Sequence, residues 1–347
     1  MPFPVVAPCR RSHAALAILG FLAAAGAGTF PGPATAGPDP GAQTLASATL
    51  GDVQHEWQRS FARELEARTG DALRAELRPG GVLGPIPGMV ADVRAGRIEA
   101  FVTPTGFLVQ VAPVLEVFEI PGIIASPEHL TRMLRDDGYR DHLEALILDS
   151  GLRIIGAFTN SPVVMLSREP VETLEQMRGL TLRTFDSPLQ SVAFEALGAD
   201  PVPMPLNLVE AALRDGRIDA ALAGMPVLAG LGLYRFARHA TDLGLPPILS
   251  VTVVNESWLR AQPEALRAAI LAAGRAADRE TLARAPDIVA LAEQDWRGHD
   301  GTLLSLDDAD RARLSALLQE AAAPLLAADP VAAAAHARLS ALAAASR

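Results

Sequence analysis

Val90-Ala-Asp-Val-Arg-Ala-Gly96-Arg97-Ile98-Glu99-Ala100-Phe-Val102 and Val209-Glu-Ala-Ala-Leu-Arg-Asp-Gly216-Arg217-Ile218-Asp219-Ala220-Ala-Leu222 follow one pattern twice. Each begins with helical spacing, stops at a glycine and resumes as an apolar strand. Glycine takes the left-handed conformation that closes a helix. An isoleucine then starts the strand, and an acid follows the arginine by two positions. Any α/β chain contains helix–Gly–strand steps, but here one recurs at lobe-sized separation. That predicts two similar lobes, each with its own sheet, and a cleft between them is a standard place for a small ligand.

The rest of the chain agrees. Leu45 to Leu50 reads as a short strand and Glu56 to Thr69 as a helix with Trp57, Phe61 and Leu65 on one face. Ala72 to Leu77 alternates like a strand. Met89 to Ala95 is helical, and Ile98 to Val102 is a buried strand. Helices and strands alternate up to about Leu259, as in layers built on mainly parallel sheets. From Pro263 the chain turns Ala-rich and helical. One or two long helices are expected to about Asp295, another from Asp307, and a last one to the C-terminus. The fold class is therefore α/β, in two lobes with a ligand cleft between them and long helices toward the C-terminus. Lobe I is placed at 45–160 and lobe II at 161–252. Helices of 253–347 return to pack on lobe I and bridge it.

The length of 347 residues suits two domains of ordinary size. A formal charge of −10 argues against nucleic acid or an anionic membrane surface as partner. All 30 basic residues are arginine, so no P-loop, Schiff-base or general-base lysine exists. Residues 1–36 read as an export signal. Arg10-Arg11 is a basic start, Ala14 to Ala27 an apolar stretch and Ala34-Thr35-Ala36 a cleavage site. Cys9, the single cysteine, would leave with it. The mature protein would be periplasmic, without disulfide, thiol nucleophile or cysteine metal site.

Several pieces in order resemble the periplasmic solute-binding subunits of TRAP transporters (DctP-like). They run from about Leu45 to Ala290 and include Arg78-Pro-Gly-Gly-Val-Leu-Gly84, Arg94-Ala-Gly-Arg-Ile-Glu99, the Thr105-Gly106 loop and Pro113-Val-Leu-Glu-Val-Phe-Glu-Ile-Pro121. The sharpest are Leu174-Glu-Gln-Met-Arg-Gly179-Leu-Thr-Leu-Arg183 and Phe194-Glu-Ala-Leu-Gly198-Ala-Asp-Pro-Val-Pro-Met204-Pro205. The resemblance implies a two-lobe periplasmic binding protein fold (type II-like), and a binding subunit that serves a small and a large membrane permease component.

It also implies that Arg183 clamps the ligand's carboxylate. A guanidinium presents a rigid fork that pairs bidentately with a carboxylate. Ser187-Pro188-Leu-Gln190 reads as a capping box at a helix start, whose free amides favour an anion nearby. Phe185 shares a strand face with Arg183 and packs either on the ligand or in the core. Asn160 follows the strand Ile154–Phe158 near the crossing between lobes, as a ligand contact or a turn residue. Thr105 and Gly106 end a first-lobe strand. His55 and Trp57 lie where one of them can face the cleft, with Trp57 in the core as the other reading. Asn207 with Glu210 reads first as a helix cap.

Two departures from the family remove polar partners. Ser161-Pro-Val-Val-Met165 carries no second arginine, and Asp219 leads into Ala220-Ala-Leu-Ala-Gly-Met225 rather than a polar run. They suggest a monocarboxylate or 2-oxo acid with an apolar remainder rather than a sugar acid. No Gly-x-Ser-x-Gly, His-Glu-x-x-His, Walker or Gly-x-Gly-x-x-Gly motif supports an enzyme. The seven histidines are scattered, with no metal-ligand spacing and no sign of a cofactor, and His129 and His142 read as helix-surface residues. A sensing module for a signalling receptor and a secreted hydrolase are the alternative readings. The C-terminal helices leave a homodimer open.

Overall fold

The computed structural model describes residues 42–346. The export signal read at residues 1–36 lies outside them. The strands are β1 (Ala42–Ser47), β2 (Arg74–Arg78), β3 (Ala100–Pro104), β4 (Leu152–Thr159), β5 (Val163–Ser167), β6 (Thr181–Thr184), β7 (Asp200–Pro203), β8 (Ala220–Gly224), β9 (His239–Asp242), β10 (Leu249–Asn255) and β11 (Thr302–Ser305). The helices are α1 (Val53–Thr69), α2 (Ile86–Arg94), α3 (Pro127–Leu134), α4 (Asp137–Ala145), α5 (Pro188–Ala196), α6 (Val209–Arg214), α7 (Met225–Gly230), α8 (Glu256–Ala261), α9 (Glu264–Gly298), α10 (Asp308–Ala328) and α11 (Pro330–Ala345). One sheet runs β2-β1-β3-β10-β4 and the other β11-β9-β5-β8-β6-β7.

The repeated pattern does the same work in both sheets. Gly96 and Gly216 each take φ of 69°. The Arg97 amide donates to the Asp92 carbonyl and the Arg217 amide to the Ala212 carbonyl, both at 2.9 Å. The following acid then reaches a neighbouring strand. Glu99 accepts from the Thr44 amide of β1 at 2.7 Å, and Asp219 accepts from the Thr181 amide of β6 at 2.9 Å. Each of those strands pairs in parallel with the strand that follows the pattern. The motif is therefore a strand-aligning device, with glycine ending the helix and the carboxylate holding a backbone donor.

Each sheet is parallel except for one strand. Strand β10 runs antiparallel to β3 and β4, and β5 antiparallel to β8 and β9. These two strands are the ones that crossings deliver from the other sheet. The carboxyl ends of β1, β3, β4, β6 and β8 consequently face the space between the sheets, where β5 and β10 begin. Open α/β sheets bind ligands outside the carboxyl ends of their strands.

Two crossings, residues 160–162 and 243–248, are bonded to each other. The Asn160 amide donates to the Ile248 carbonyl and the Ile248 amide to the Ser161 carbonyl, both at 2.9 Å. The third connection is the 35-residue helix α9, which contains Pro286. It packs on α1 and β4 beside the first sheet, and on α7 and β11 beside the second. Trp57 is fully buried, stacked on Phe61 at 5.0 Å and Phe158 at 6.1 Å. Its indole N–H donates to Asp278 of α9 at 2.7 Å, and Asp278 also accepts from the Ala157 amide and pairs with Arg140 of α4. Burial pushes the Asp278 carboxyl up to about 6, against the opposing pull of Arg140 and Trp57.

The C-terminal region is not purely helical. The short strand β11 interrupts it and pairs in parallel with β9, at an edge of the second sheet. His129 is not a surface residue. It is buried, accepts from the Ala125 amide and meets the Ala343 carbonyl of α11 at 2.9 Å. It thus ties the last helix back to the first-sheet half of the molecule. His142 is half-buried, and burial lowers its pKa. Among the described residues, no helix is long and apolar enough to cross a membrane.

Candidate functional site

Strand β6 carries Arg183 to the floor of a cavity between the two sheets. Its side chain is 1% exposed. Two of its nitrogens are held by backbone: Nε donates to the Met204 carbonyl at 2.8 Å and Nη1 to the Leu222 carbonyl at 2.5 Å. Nη2 is buried and has no hydrogen-bond partner among the described residues. Phe185 lies two positions on, and its ring centroid is 4.9 Å from the guanidinium carbon. Burial pulls the Arg183 pKa down to about 10, so the group stays charged at neutral pH. A buried charge with a free donor edge is costly unless something negative meets it.

The cavity wall comes from both halves. Thr49, Gln54, Phe107 and Asn160 stand with Arg183, Phe185, Ala223 and Val227 around it. Phe107 and Phe185 meet edge to face across it, centroids 5.9 Å apart at 79°. The enclosed volume is about 30 Å³. That holds a water or two and no organic acid, so ligand entry requires the halves to part.

The residues singled out in the sequence fall in different places. Arg183, Phe185 and Asn160 line this cavity. Asn160 also donates to Ser250 at 3.1 Å, in the crossing. Thr105 and Gly106 line the adjoining space beside Glu119, and the Thr105 hydroxyl donates to the Leu249 carbonyl at 3.3 Å. Trp57 is in the core, one of its two readings. His55 is turned back to accept from the Gly51 amide at 3.1 Å, and burial lowers its pKa. Asn207 is no cap. Helix α6 starts from Leu208 without a side-chain capping bond, and Asn207 sits exposed at the cleft mouth with Gly81 and Leu231.

The capping box at α5 is half formed. Ser187 accepts from the Gln190 amide, but the Gln190 side chain reaches across to Glu119 at 2.7 Å. Beside it, Glu116 accepts from the Leu189 amide at 3.1 Å and the Ser187 hydroxyl at 3.4 Å. Glu116 of the first half thus caps the start of a helix in the second, where the helix end favours negative charge, while Glu119 holds the Gln190 side chain beside it. Burial pushes the Glu119 carboxyl from 4.5 up to about 7; Gln190 draws it back and Glu116 adds to the rise. A carboxyl raised on folding stabilises the fold while protonated. That stability is whole below 4.5 and lost as pH rises through about 7. Between pH 5 and 8 the wild-type Tm should therefore fall relative to that of Glu119→Gln. Parallel Tm curves for the two proteins would exclude this role.

Residues 46–328 match the model of the family described as bacterial extracellular solute-binding protein, family 7 (DctP). The chain is 32% identical over 170 residues to the 2,3-diketo-L-gulonate-binding periplasmic protein of Escherichia coli, a stretch covering 49% of this chain and 52% of that protein. A solute-binding protein of Verminephrobacter eiseniae is 25% identical over 282 residues, 80% of this chain and 83% of the relative. Among solved structures, the periplasmic ectoine-binding protein of a Halomonas elongata TRAP transporter superposes with a TM-score of 0.82 at 17% identity, covering 88% of this chain and 99% of that one. A TRAP periplasmic solute-binding protein of Chromohalobacter salexigens with bound D-glucuronate gives 0.81 at 20% identity, over 86% and 99%. These structures share its two-sheet fold.

Proposed function

Because the chain belongs to family 7 of the bacterial extracellular solute-binding proteins, we propose that it is the periplasmic subunit of a TRAP-type transporter, exported with loss of residues 1–36. It takes a small monocarboxylate between its lobes and delivers it to the small and large membrane permease components. The observation that carries this reading is the unpartnered Nη2 of the buried Arg183. With Nε and Nη1 committed to carbonyls, Nη2 is the edge left for an anion, and a carboxylate supplies both charge and acceptor.

The other walls suit an apolar remainder. Ile86, Phe107, Leu206, Val227 and Ile248 surround the same cavity. A ligand that touches Arg183 from one side and the first-half residues from the other binds the closed form better than the open one. That difference is all a ligand can contribute to closure. The test is thermal: small carboxylates should raise Tm, and their amides should not. Lactate against lactamide, and butyrate against butyramide, are suitable pairs. Equal shifts within each pair, or none for any acid, would remove the carboxylate from the reading.

A further inference from the structure

A second buried group faces the same cavity with the opposite polarity. Gln54, in the first turn of α1, is 2% exposed and lines the cavity with Arg183. Its Oε1 is buried and has no hydrogen-bond partner among the described residues. The orientation of its amide is set from behind. Nε2 donates to Asp52 Oδ2 at 3.4 Å, and that carboxylate also accepts from the Thr49 hydroxyl at 2.7 Å and the His55 amide at 3.1 Å. Turning the amide over would set two acceptor oxygens against each other. The acceptor edge is therefore the one offered to the cavity.

Leaving a buried carbonyl oxygen unpaired is unfavourable, so the site is completed by a donor. We propose that Gln54 is a specificity-determining residue that reads a hydroxyl or N–H on the ligand while Arg183 holds its carboxylate. The ligand class is then a monocarboxylate bearing a hydrogen-bond donor, such as a hydroxy acid. A 2-oxo acid is disfavoured, because its ketone oxygen would meet Oε1 acceptor to acceptor. The inference rests on the carboxylate reading of the cleft and refines it.

The test pairs hydroxy and amide-bearing acids with their deoxy analogues: lactate with propionate, 2- and 3-hydroxybutyrate with butyrate, N-acetylglycine with 4-oxopentanoate. Affinities are measured by calorimetry on wild type, Gln54→Leu and Arg183→Ala. A site built to pair a ligand donor rejects the analogue lacking it. The wild type should favour at least one donor-bearing acid over its partner by about tenfold or more, and Gln54→Leu should bring that ratio near one. Preference for the same acid by the same ratio in Gln54→Leu would overturn the role of Gln54 and leave the carboxylate reading intact. Binding unaffected by Arg183→Ala would overturn the carboxylate reading itself, as would wild type that binds none of these acids. Gln54→Met separates packing from polarity, since it keeps an unbranched side chain of similar volume and removes the acceptor. Loss of the donor preference in both Gln54→Met and Gln54→Leu is the expected pattern. Retention in Gln54→Met, with loss in Gln54→Leu, would assign the effect to disturbed packing and overturn the proposal.

Discussion

Arg183→Ala is expected to abolish the carboxylate-dependent rise in Tm and to weaken binding by about a hundredfold or more. Truncating one partner of a buried charge pair costs about 2–5 kcal/mol, because the other partner is left desolvated and unmatched. A ligand that binds only the folded state raises stability by RT ln(1 + [L]/Kd), so a hundredfold weaker Kd leaves almost no shift at ligand concentrations up to about ten times the wild-type Kd. Arg183→Lys refines the point. An ammonium keeps the charge but not the planar fork. It cannot serve the Met204 carbonyl, the Leu222 carbonyl and a ligand oxygen from the positions that Nε, Nη1 and Nη2 occupy. Lysine should therefore lose about tenfold or more where a point charge alone would lose little. Circular dichroism shows whether each variant is folded. Folded alanine variant with wild-type affinity would place the carboxylate elsewhere.

Gly274→Ala should be among the most damaging single substitutions in the chain. In an exposed helix the same exchange stabilises by up to about 1 kcal/mol. Here α9 lies so close on β4 that a Cβ at this position would fall inside the Ile155 carbonyl oxygen. The obstacle is the backbone of a sheet strand, so no rotamer relieves it. Overpacking of this kind costs about 1–3 kcal/mol, and a rigid partner puts it at the upper end. In a domain this large that lowers Tm by about 5 °C. Gly298→Ala is the control: it sits at the exposed end of the same helix, with nothing near its missing Cβ. Its Tm should hold or rise. A stable Gly274→Ala protein would mean that α9 can lift from the sheet without loss.

Much of the architecture was legible because it rests on local chemistry. The two Gly-Arg-Ile-acid stretches announce a helix stop and a strand start, and those are decided within a few residues. The sheet-aligning bonds of Glu99 and Asp219 were not legible, since Thr44 and Thr181 become their neighbours only after pairing. Strand β11 has four residues between two long helices, too few to show alternation. His129 looked like surface because the carbonyl it meets belongs to Ala343, far along the chain.

At the cavity, attention fell on His55 and Trp57, while Gln54 stood beside them. The helical phase held the clue: Gln54 is one turn before Trp57 on the same face, at the start of α1. A polar residue that starts an apolar stripe is a candidate for the space the stripe leads to. Phe107 carried no pattern at all. Glu116 and Glu119 lay within the Pro113–Pro121 segment, but their partners on α5 come from the other half of the molecule.

Helix α9 leaves a mechanical consequence. It is anchored near its middle through Asp278 to Trp57, and near its C-terminal end through Trp296, whose indole donates to the Arg238 carbonyl at 3.2 Å. Between the anchors stands Pro286, which has no amide hydrogen to give to the preceding turn. The helix is thus a beam clamped at two points with a notch between them. Parting of the halves would have to turn at the paired crossings of Asn160 and Ile248 and bend the beam at its notch. The spacing of the halves without ligand would then depend in part on the stiffness of one helix.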